Sequence, residues 1–265
     1  MNDGPTTVRV NRFPLAEDSW LAYEHLAGHA PTIVFFPGLR SAMTGQKAMW
    51  LRRYCLEHGL SYLRFDYRGH GVASGRFEDH TIADWLDDAD VLTSRLCEPP
   101  LLLVGSSMGA WIMTLLALRC PERVSGMLGI AAAPDFTAEL MSGRLSEEQL
   151  SELRRCGRVE LPSRYDEQPT VITRSLIEAG NRLCVLDRHL DLQCPLRLVH
   201  GLRDIDVPWQ RSLALLDRFR GADATLTLVK DGEHRLSRQQ DLVLVGRLLD
   251  ELLDTSKPGS TSHRS

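Results

Sequence analysis

One short segment constrains this chain more than any other. Gly105-Ser106-Ser107-Met108-Gly109 reads Gly-x-Ser-x-Gly. The apolar run Leu101-Leu102-Leu103-Val104 precedes it, and a second apolar run over 110–118 follows and stops before Pro121. Strand, tight turn, helix is the context that a nucleophile elbow requires. Such a turn strains the backbone of its central residue and lifts that side chain over the end of a sheet. Gly105 and Gly109 are needed because a Cβ at either place would collide with the crossing backbone. Only Ser107 has a glycine two residues away on both sides, so Ser107, and not Ser106, is the candidate nucleophile. The pattern alone arises by accident in roughly one chain in ten of this length. Its weight therefore depends on its setting and on partners elsewhere in the sequence.

The setting is a repeating one. Thr32-Ile33-Val34-Phe35-Phe36 is continuously apolar and closed by Pro37-Gly38, as suits a parallel strand buried on both faces. A helix is expected over 46–57, a strand over 61–65, a Gly-rich loop at Asp66-Tyr67-Arg68-Gly69-His70-Gly71, and an amphipathic helix over 82–96. After the elbow come a strand over 124–132 and, later, a strand over 195–200, a helix over 209–219, a strand over 224–230 and a helix over 236–253. Strand alternating with helix through short connections predicts an α/β fold: a doubly wound, mostly parallel sheet with its site at the carboxyl ends of the strands. An edge hairpin is expected from 7–12 and 20–24. The rhythm breaks over 134–193, where Ser146-Glu147-Glu148-Gln149 matches a capping box, a second helix is expected over 170–179, and no strong buried strand stands out. The division expected is therefore a core of 1–133 and 194–254, a helical cap insertion of 134–193, and a disordered tail of 255–265.

Composition removes several function classes. The chain of 265 residues is 43% apolar and 25% charged, as an ordinary globular domain is, and its formal net charge of −4 gives no basic face for nucleic acid. Six scattered cysteines include no Cys-x-x-Cys pair and no histidine at metal-ligand spacing, so they read as reduced structural thiols, and neither a metal nor another cofactor is expected. No apolar run approaches the 18 or so residues of a membrane span. Met1-Asn2-Asp3-Gly4-Pro5 does not open a signal peptide, and the cytosol is the expected compartment.

A serine hydroxyl needs a general base, and the base needs an acid to hold its tautomer. One recurring chain order places the acid and then the histidine after the serine. His200-Gly201-Leu202-Arg203-Asp204 ends a buried strand, which makes Asp204 the candidate acid. Asp206 is its rival, but Val207-Pro208 and a helical pattern follow it, so helix capping is its competing role. His234, in Asp231-Gly232-Glu233-His234, is the one histidine of nine in a loop after the strand that follows the acid. His200 reads as structural, positioning the Asp204 turn; His70 and His189 lie outside the order. The oxyanion donors expected are the backbone N–H groups of Met108, directly after the nucleophile, and of Leu39, in the loop after the Phe35-Phe36 strand.

These segments together resemble the α/β-hydrolases of the serine esterase type over nearly the whole chain. The more specific set is Phe36-Pro37-Gly38, Arg64-Phe65-Asp66-Tyr67, Gly105 to Gly109 with Ala110-Trp111, His200 to Asp204, Val207-Pro208-Trp209, Glu233-His234-Arg235 and Leu161-Pro162-Ser163-Arg164-Tyr165. That set resembles the group of the mitochondrial depalmitoylating thioesterases of animals, also known as mycophenolic acid acyl-glucuronide esterases, and their bacterial relatives. The resemblance implies hydrolysis of acyl thioesters and activated acyl esters, on a small-molecule or acylated-protein substrate, with Ser107, Asp204 and His234 in the triad roles. The long N-terminal targeting region of the animal proteins has no counterpart in the residues before the first expected strand, so their mitochondrial location is not expected to carry over. Pro37 stands where many other hydrolases have His, as it does in the thioesterase group.

Two other readings compete: hydrolysis of a carbon–carbon bond by the same triad, and a binding protein on a hydrolase fold. The filled triad positions speak against the second. Phe136, Leu140, Met141, Leu145 and Leu150 could line an acyl channel, although plain packing onto the sheet accounts for their spacing. Arg40 and Arg235 could meet an acidic leaving group, although solvated arginines are the plainer account. Oligomeric state leaves no mark in the sequence.

Overall fold

Continuously apolar strands hide their side chains only between two covering layers, and that demand sets the architecture. The computed structural model describes residues 10–162 and 168–255. In chain order its elements are β1 (Asn11–Ala16), β2 (Ser19–Leu26), β3 (His29–Phe36), α1 (Gln46–His58), β4 (Leu60–Asp66), α2 (Ile82–Leu96), β5 (Leu101–Ser106), α3 (Met108–Arg119) and β6 (Val124–Ile130). They continue with α4 (Phe136–Glu139), α5 (Glu147–Cys156), β7 (Arg158–Leu161), β8 (Thr170–Thr173), α6 (Arg174–Asn181), β9 (Leu196–Gly201), α7 (Gln210–Arg218), β10 (Ala224–Val229) and α8 (Gln239–Thr255). Eight strands form one sheet in the order β1-β2-β4-β3-β5-β6-β9-β10. From β4 to β10 neighbours are parallel, and β1 and β2 add antiparallel at the β4 edge. The doubly wound α/β sheet expected from the sequence is the one observed.

The period-2 alternation of a strand divides the core. Along β3, Ile33 and Phe35 face one cluster, which α1 and α8 cover with Leu51, Tyr54, Leu248 and Leu249. Val34 and Phe36 face the other, covered by α2 and α3. Helix α3 is apolar on all sides and correspondingly buried from Met108 to Ala117. Helix α2 starts at a capping box: the Thr81 N–H donates to Asp84 Oδ2 at 2.8 Å, and Trp85, Ala89 and Leu92 turn inward.

Topology fixes where a site can be. From β3 the chain crosses to β4 on one side, then returns to β5 on the other. Phe36 pairs with Gly105, so the loops that leave β3 and β5 open next to each other at a switch point.

Three expectations need correction. The stretch between β6 and β9 is not wholly helical: β7 and β8 pair antiparallel, with Val159 opposite Ile172. The helix expected over 170–179 begins only at Arg174. Thr170-Val171-Ile172-Thr173 is entirely β-branched and prefers the pleated pairing, and the Thr173 side chain then caps α6 by accepting from the Leu176 N–H at 3.1 Å. The capping box at Ser146 opens α5 as expected. The edge hairpin lies at β1 and β2, later than 7–12; residues 1–9, the segment 163–167 and the tail from 256 lie outside the described residues.

The Gly-rich loop after β4 is held by Asp66, which accepts from the N–H of Met43 at 2.6 Å and of Val72 at 3.0 Å. Inside it His70 is buried among the rings of Tyr67, Phe77 and Trp85 at 5.5, 5.3 and 4.9 Å. Burial pushes its imidazole down from 6.5 to about 4. The unfolded chain therefore binds more protons than the native one between about pH 4 and 6.5, and stability falls as pH falls through that window. The full effect is on the order of 3 kcal/mol. Chemical denaturation at pH 7 and pH 5 checks this: wild type loses more stability on acidification than His70→Phe, whose ring stays neutral.

Candidate active site

The backbone of Ser107 sits at φ 55°, ψ −120°, a conformation that side chains rarely adopt. Its neighbours hold it there. The Ser107 N–H donates to Ile130 O at 2.9 Å, and the Ser107 carbonyl accepts from Ala133 N at 3.2 Å, which ties the elbow to the end of β6. The two motif glycines allow the crossing. A Cβ on Gly109 would lie 2.0 Å from the Phe36 carbonyl oxygen, and one on Gly105 would lie 2.5 Å from Ala110 Cα. Met108 is the first residue of α3, where a helix leaves its N–H groups without intrahelical partners and the dipole favours negative charge. The loop after β3 lies against the elbow: a Cβ on Gly38 would come within 3.4 Å of Ser107 Cβ. Leu39 follows, in a turn closed by Ser41 N–H to Gly38 O at 3.0 Å, with Arg40 at φ 57°.

Across the crevice, the loops after β9 and β10 are pressed together. A Cβ on Gly201 would stand 2.2 Å from the Gly232 carbonyl oxygen, and Arg203 N–H donates to that oxygen at 2.9 Å. Between these loops lies the Asp204 carboxylate, its side chain fully buried. Oδ1 accepts from the N–H of Asp206 at 2.9 Å and of Val207 at 2.8 Å. Oδ2 accepts from His234 Nδ1 at 2.7 Å and from His200 Nε2 at 3.0 Å. Burial opposes ionisation of this carboxyl, but the hydrogen bonds from His200, His234 and Val207 outweigh it and hold the group well below the usual carboxylate range. His234 Nε2 stands 3.1 Å from Ser107 Oγ. Ser107, His234 and Asp204 thus form one unbroken hydrogen-bonded line.

Other expected residues take different places. Asp206 is not a helix cap, because α7 begins three residues after Val207 and its N-cap is Trp209. Instead the Asp206 carboxylate comes within 4.8 Å of donor atoms of Asp204 and His234, and Arg144 binds its carbonyl. These three are, among the described residues, the one His, Cys, Asp and Glu group close enough to hold a metal ion, although Asp204 and His234 are already bound to each other. His200 is buried beside Asp204, His70 is in the ring cage, and His189 is exposed on the loop before β9. Phe136 stacks edge-on to Trp111 at 5.7 Å, and Leu140, Leu145 and Leu150 join the main core, so of the five apolar residues only Met141 is exposed. The Arg40 guanidinium lies over the Phe77 ring at 5.5 Å.

One support has no sequence signal. The loop that carries His234 is clamped by the first turn of α1: Lys47 Nζ donates to Arg235 O and, at 3.3 Å, to Ser237 Oγ, and Gln46 donates to Ser237 O at 2.7 Å. These partners are 188 or more residues apart, beyond any local pattern.

Residues 33–255 match the alpha/beta hydrolase family. The chain belongs to that family. Over 235 residues it is 37% identical to palmitoyl-protein thioesterase ABHD10, mitochondrial, of Mus musculus, spanning 88% of this chain and 79% of the relative. The solved structure of alpha/beta hydrolase domain-containing protein 10 from mouse superposes with a TM-score of 0.87 at 35% identity, over 94% of this chain and all of that one. A solved structure from Agrobacterium vitis S4 does so with a TM-score of 0.86 at 37% identity, over 92% and 97% of the two chains. The thioesterase relatives are named as mitochondrial, which overturns the cytosolic compartment expected from the N-terminal residues. No helix among the described residues is long and apolar enough to cross a membrane.

The tightest feature of the elbow gives a direct test. In Gly109→Ala the new methyl group meets only backbone, so strand end or helix start must shift; a loss of about 3 kcal/mol or more is expected in urea unfolding.

Proposed function

We propose that this protein hydrolyses acyl esters and thioesters through an acyl-enzyme on Ser107. The observation that carries the reading is the line from Ser107 Oγ through His234 at 3.1 Å and on to Asp204 at 2.7 Å. Ser107 Oγ attacks the acyl carbon while His234 Nε2 takes its proton. Asp204 keeps the remaining ring proton on Nδ1 and stabilises the imidazolium. The oxygen of the tetrahedral intermediate is negative, and the backbone N–H groups of Met108 and Leu39 are its proposed donors. Collapse of the intermediate expels the thiolate or alkoxide, to which His234 returns the proton. Water then attacks the acyl-enzyme, gives its proton to His234, and leaves the free carboxylic acid once the proton has returned to Ser107.

The relatives at 35–37% identity that are named palmitoyl-protein thioesterases support an S-acylated cysteine or a similar activated acyl ester as substrate. The proposed acyl donors are therefore small-molecule thioesters and acylated proteins. The stretch over 134–193, which rises beside the elbow and reaches the Asp206 loop through Arg144, is the proposed wall of the substrate site.

Two measurements test the assignment. A fluorophosphonate probe labels the wild-type protein and leaves Ser107→Ala unlabelled; labelling that persists in the variant refutes the acyl-enzyme. For Asp204→Asn, kcat/KM on p-nitrophenyl esters and acyl-coenzyme A thioesters drops about 10³–10⁴-fold, because a neutral amide has one accepting oxygen for the four N–H groups that converge on Asp204 and no charge to stabilise the imidazolium.

A further inference from the structure

The proposed acid has a second histidine on it. His200, at the end of β9, is fully buried. Its Nε2 lies 3.0 Å from Asp204 Oδ2 and 3.1 Å from the Val207 carbonyl oxygen. Its Nδ1 lies 2.7 Å from Oγ of Ser212, which is also fully buried, on α7. Two acceptors face Nε2, so that nitrogen carries the proton, and the Ser212 hydroxyl then donates to Nδ1. Asp204 Oδ2 consequently takes two imidazole N–H bonds, one from His200 and one from His234, while two backbone N–H groups saturate Oδ1.

We infer that His200 is a positioning residue that sets how much of the Asp204 charge reaches His234. The inference rests on the triad reading given above. A hydrogen bond to one oxygen lone pair draws electron density from the other, so the His200 N–H weakens the hold of Asp204 on the imidazolium that forms when Ser107 loses its proton. It also fixes the carboxylate rotamer, which leaves one lone pair of Oδ2 aimed at His234 Nδ1. A histidine that only filled space would do neither. Ser212 completes the device, because its donation to Nδ1 keeps the His200 proton on the side of Asp204. The other charged groups near the pair belong to different elements. The Asp206 carboxylate is within 4.8 Å on the Asp204 loop, which Arg144 reaches from the stretch before α5, while Glu233 and Arg235 flank His234 and Lys47 reaches the His234 loop from α1. Substitution at His200 or Ser212 leaves all of them in place.

The experiment is the pH profile of kcat/KM for a p-nitrophenyl ester, whose acid limb reports protonation of the base in the free enzyme, read with thermal melting of each variant. His200→Met removes the N–H, so Asp204 gives its charge to His234 alone, and the acid limb moves to higher pH by about 0.5–1 unit. His200→Gln places an amide N–H where Nε2 stood and keeps the limb at the wild-type pH, whatever the change in rate. If His200→Met does not fold, Ser212→Ala serves in its place: without a donor on Nδ1 the His200 ring is less polarised and its Nε2–H bonds Asp204 more weakly, which moves the limb the same way by a smaller amount. A folded His200→Met or Ser212→Ala enzyme whose limb stays put or moves to lower pH overturns the inference, as does a His200→Gln limb displaced as far as that of His200→Met. Persistent fluorophosphonate labelling of Ser107→Ala instead overturns the triad reading itself, so the two failures are told apart.

Discussion

The site depends on the side-by-side pairing of β3 and β5, with Phe36 opposite Gly105. Because the chain leaves β3 toward one edge of the sheet and comes back to β5 on the other side, two loops that carry different parts of the site open into one crevice. The register does more than bring them near each other. It sets the Phe36 carbonyl against Gly109 so closely that only a residue without a side chain fits. A slip of one residue in β3 or β5 would turn every core side chain to the wrong face, so the same apolar pattern that builds the core also fixes the distance between the Gly38 turn and Ser107. The unusual backbone of Ser107 is held by hydrogen bonds to Ile130 and from Ala133, one strand further along.

Opposite the elbow, a single buried charge organises the second half of the crevice. Asp204 joins the loops after β9 and β10 through four hydrogen bonds, and Gly201 and Gly232 bring those loops into backbone contact. A buried carboxylate without these donors would be protonated and could not hold an imidazolium. Fold and electrostatics are thus the same problem here: the loops close only around an anion, and the anion is stable only because the loops close.

What the sequence made legible was local. The elbow could be read because its glycines, its serine and both apolar runs lie within some twenty residues, and the capping box at Ser146 because both of its partners lie within one helical turn. Asp204 could be ranked above Asp206 by position alone, but the capping role given to Asp206 failed because α7 starts later than Pro208 suggests. The β7–β8 pair was hidden because the four β-branched residues of β8 run directly into a helix and blend with its pattern. The clamp from Gln46 and Lys47 onto the His234 loop was beyond reach, since only the folded sheet brings α1 to residues near the other end of the chain.

One carboxylate at the foot of the stretch between β6 and β9 has a wider consequence. Asp135, at φ 57°, accepts from the N–H groups of Val185 and Leu186 at 2.8–3.1 Å, fifty residues further on. The excursion is thereby cinched at its base, and Trp111 adds a bond to Leu183 O at 3.2 Å. Closure entropy grows only slowly with loop length, so what lies above the cinch can be rewritten or resized with little penalty to the pairing of β6 with β9. The polypeptide therefore contains two parts with different freedom to change: a frame in which a single methyl group matters, and an excursion, pinned at its base and packed on the core by residues such as Leu145 and Leu176, whose outer turns can vary in length without disturbing the sheet.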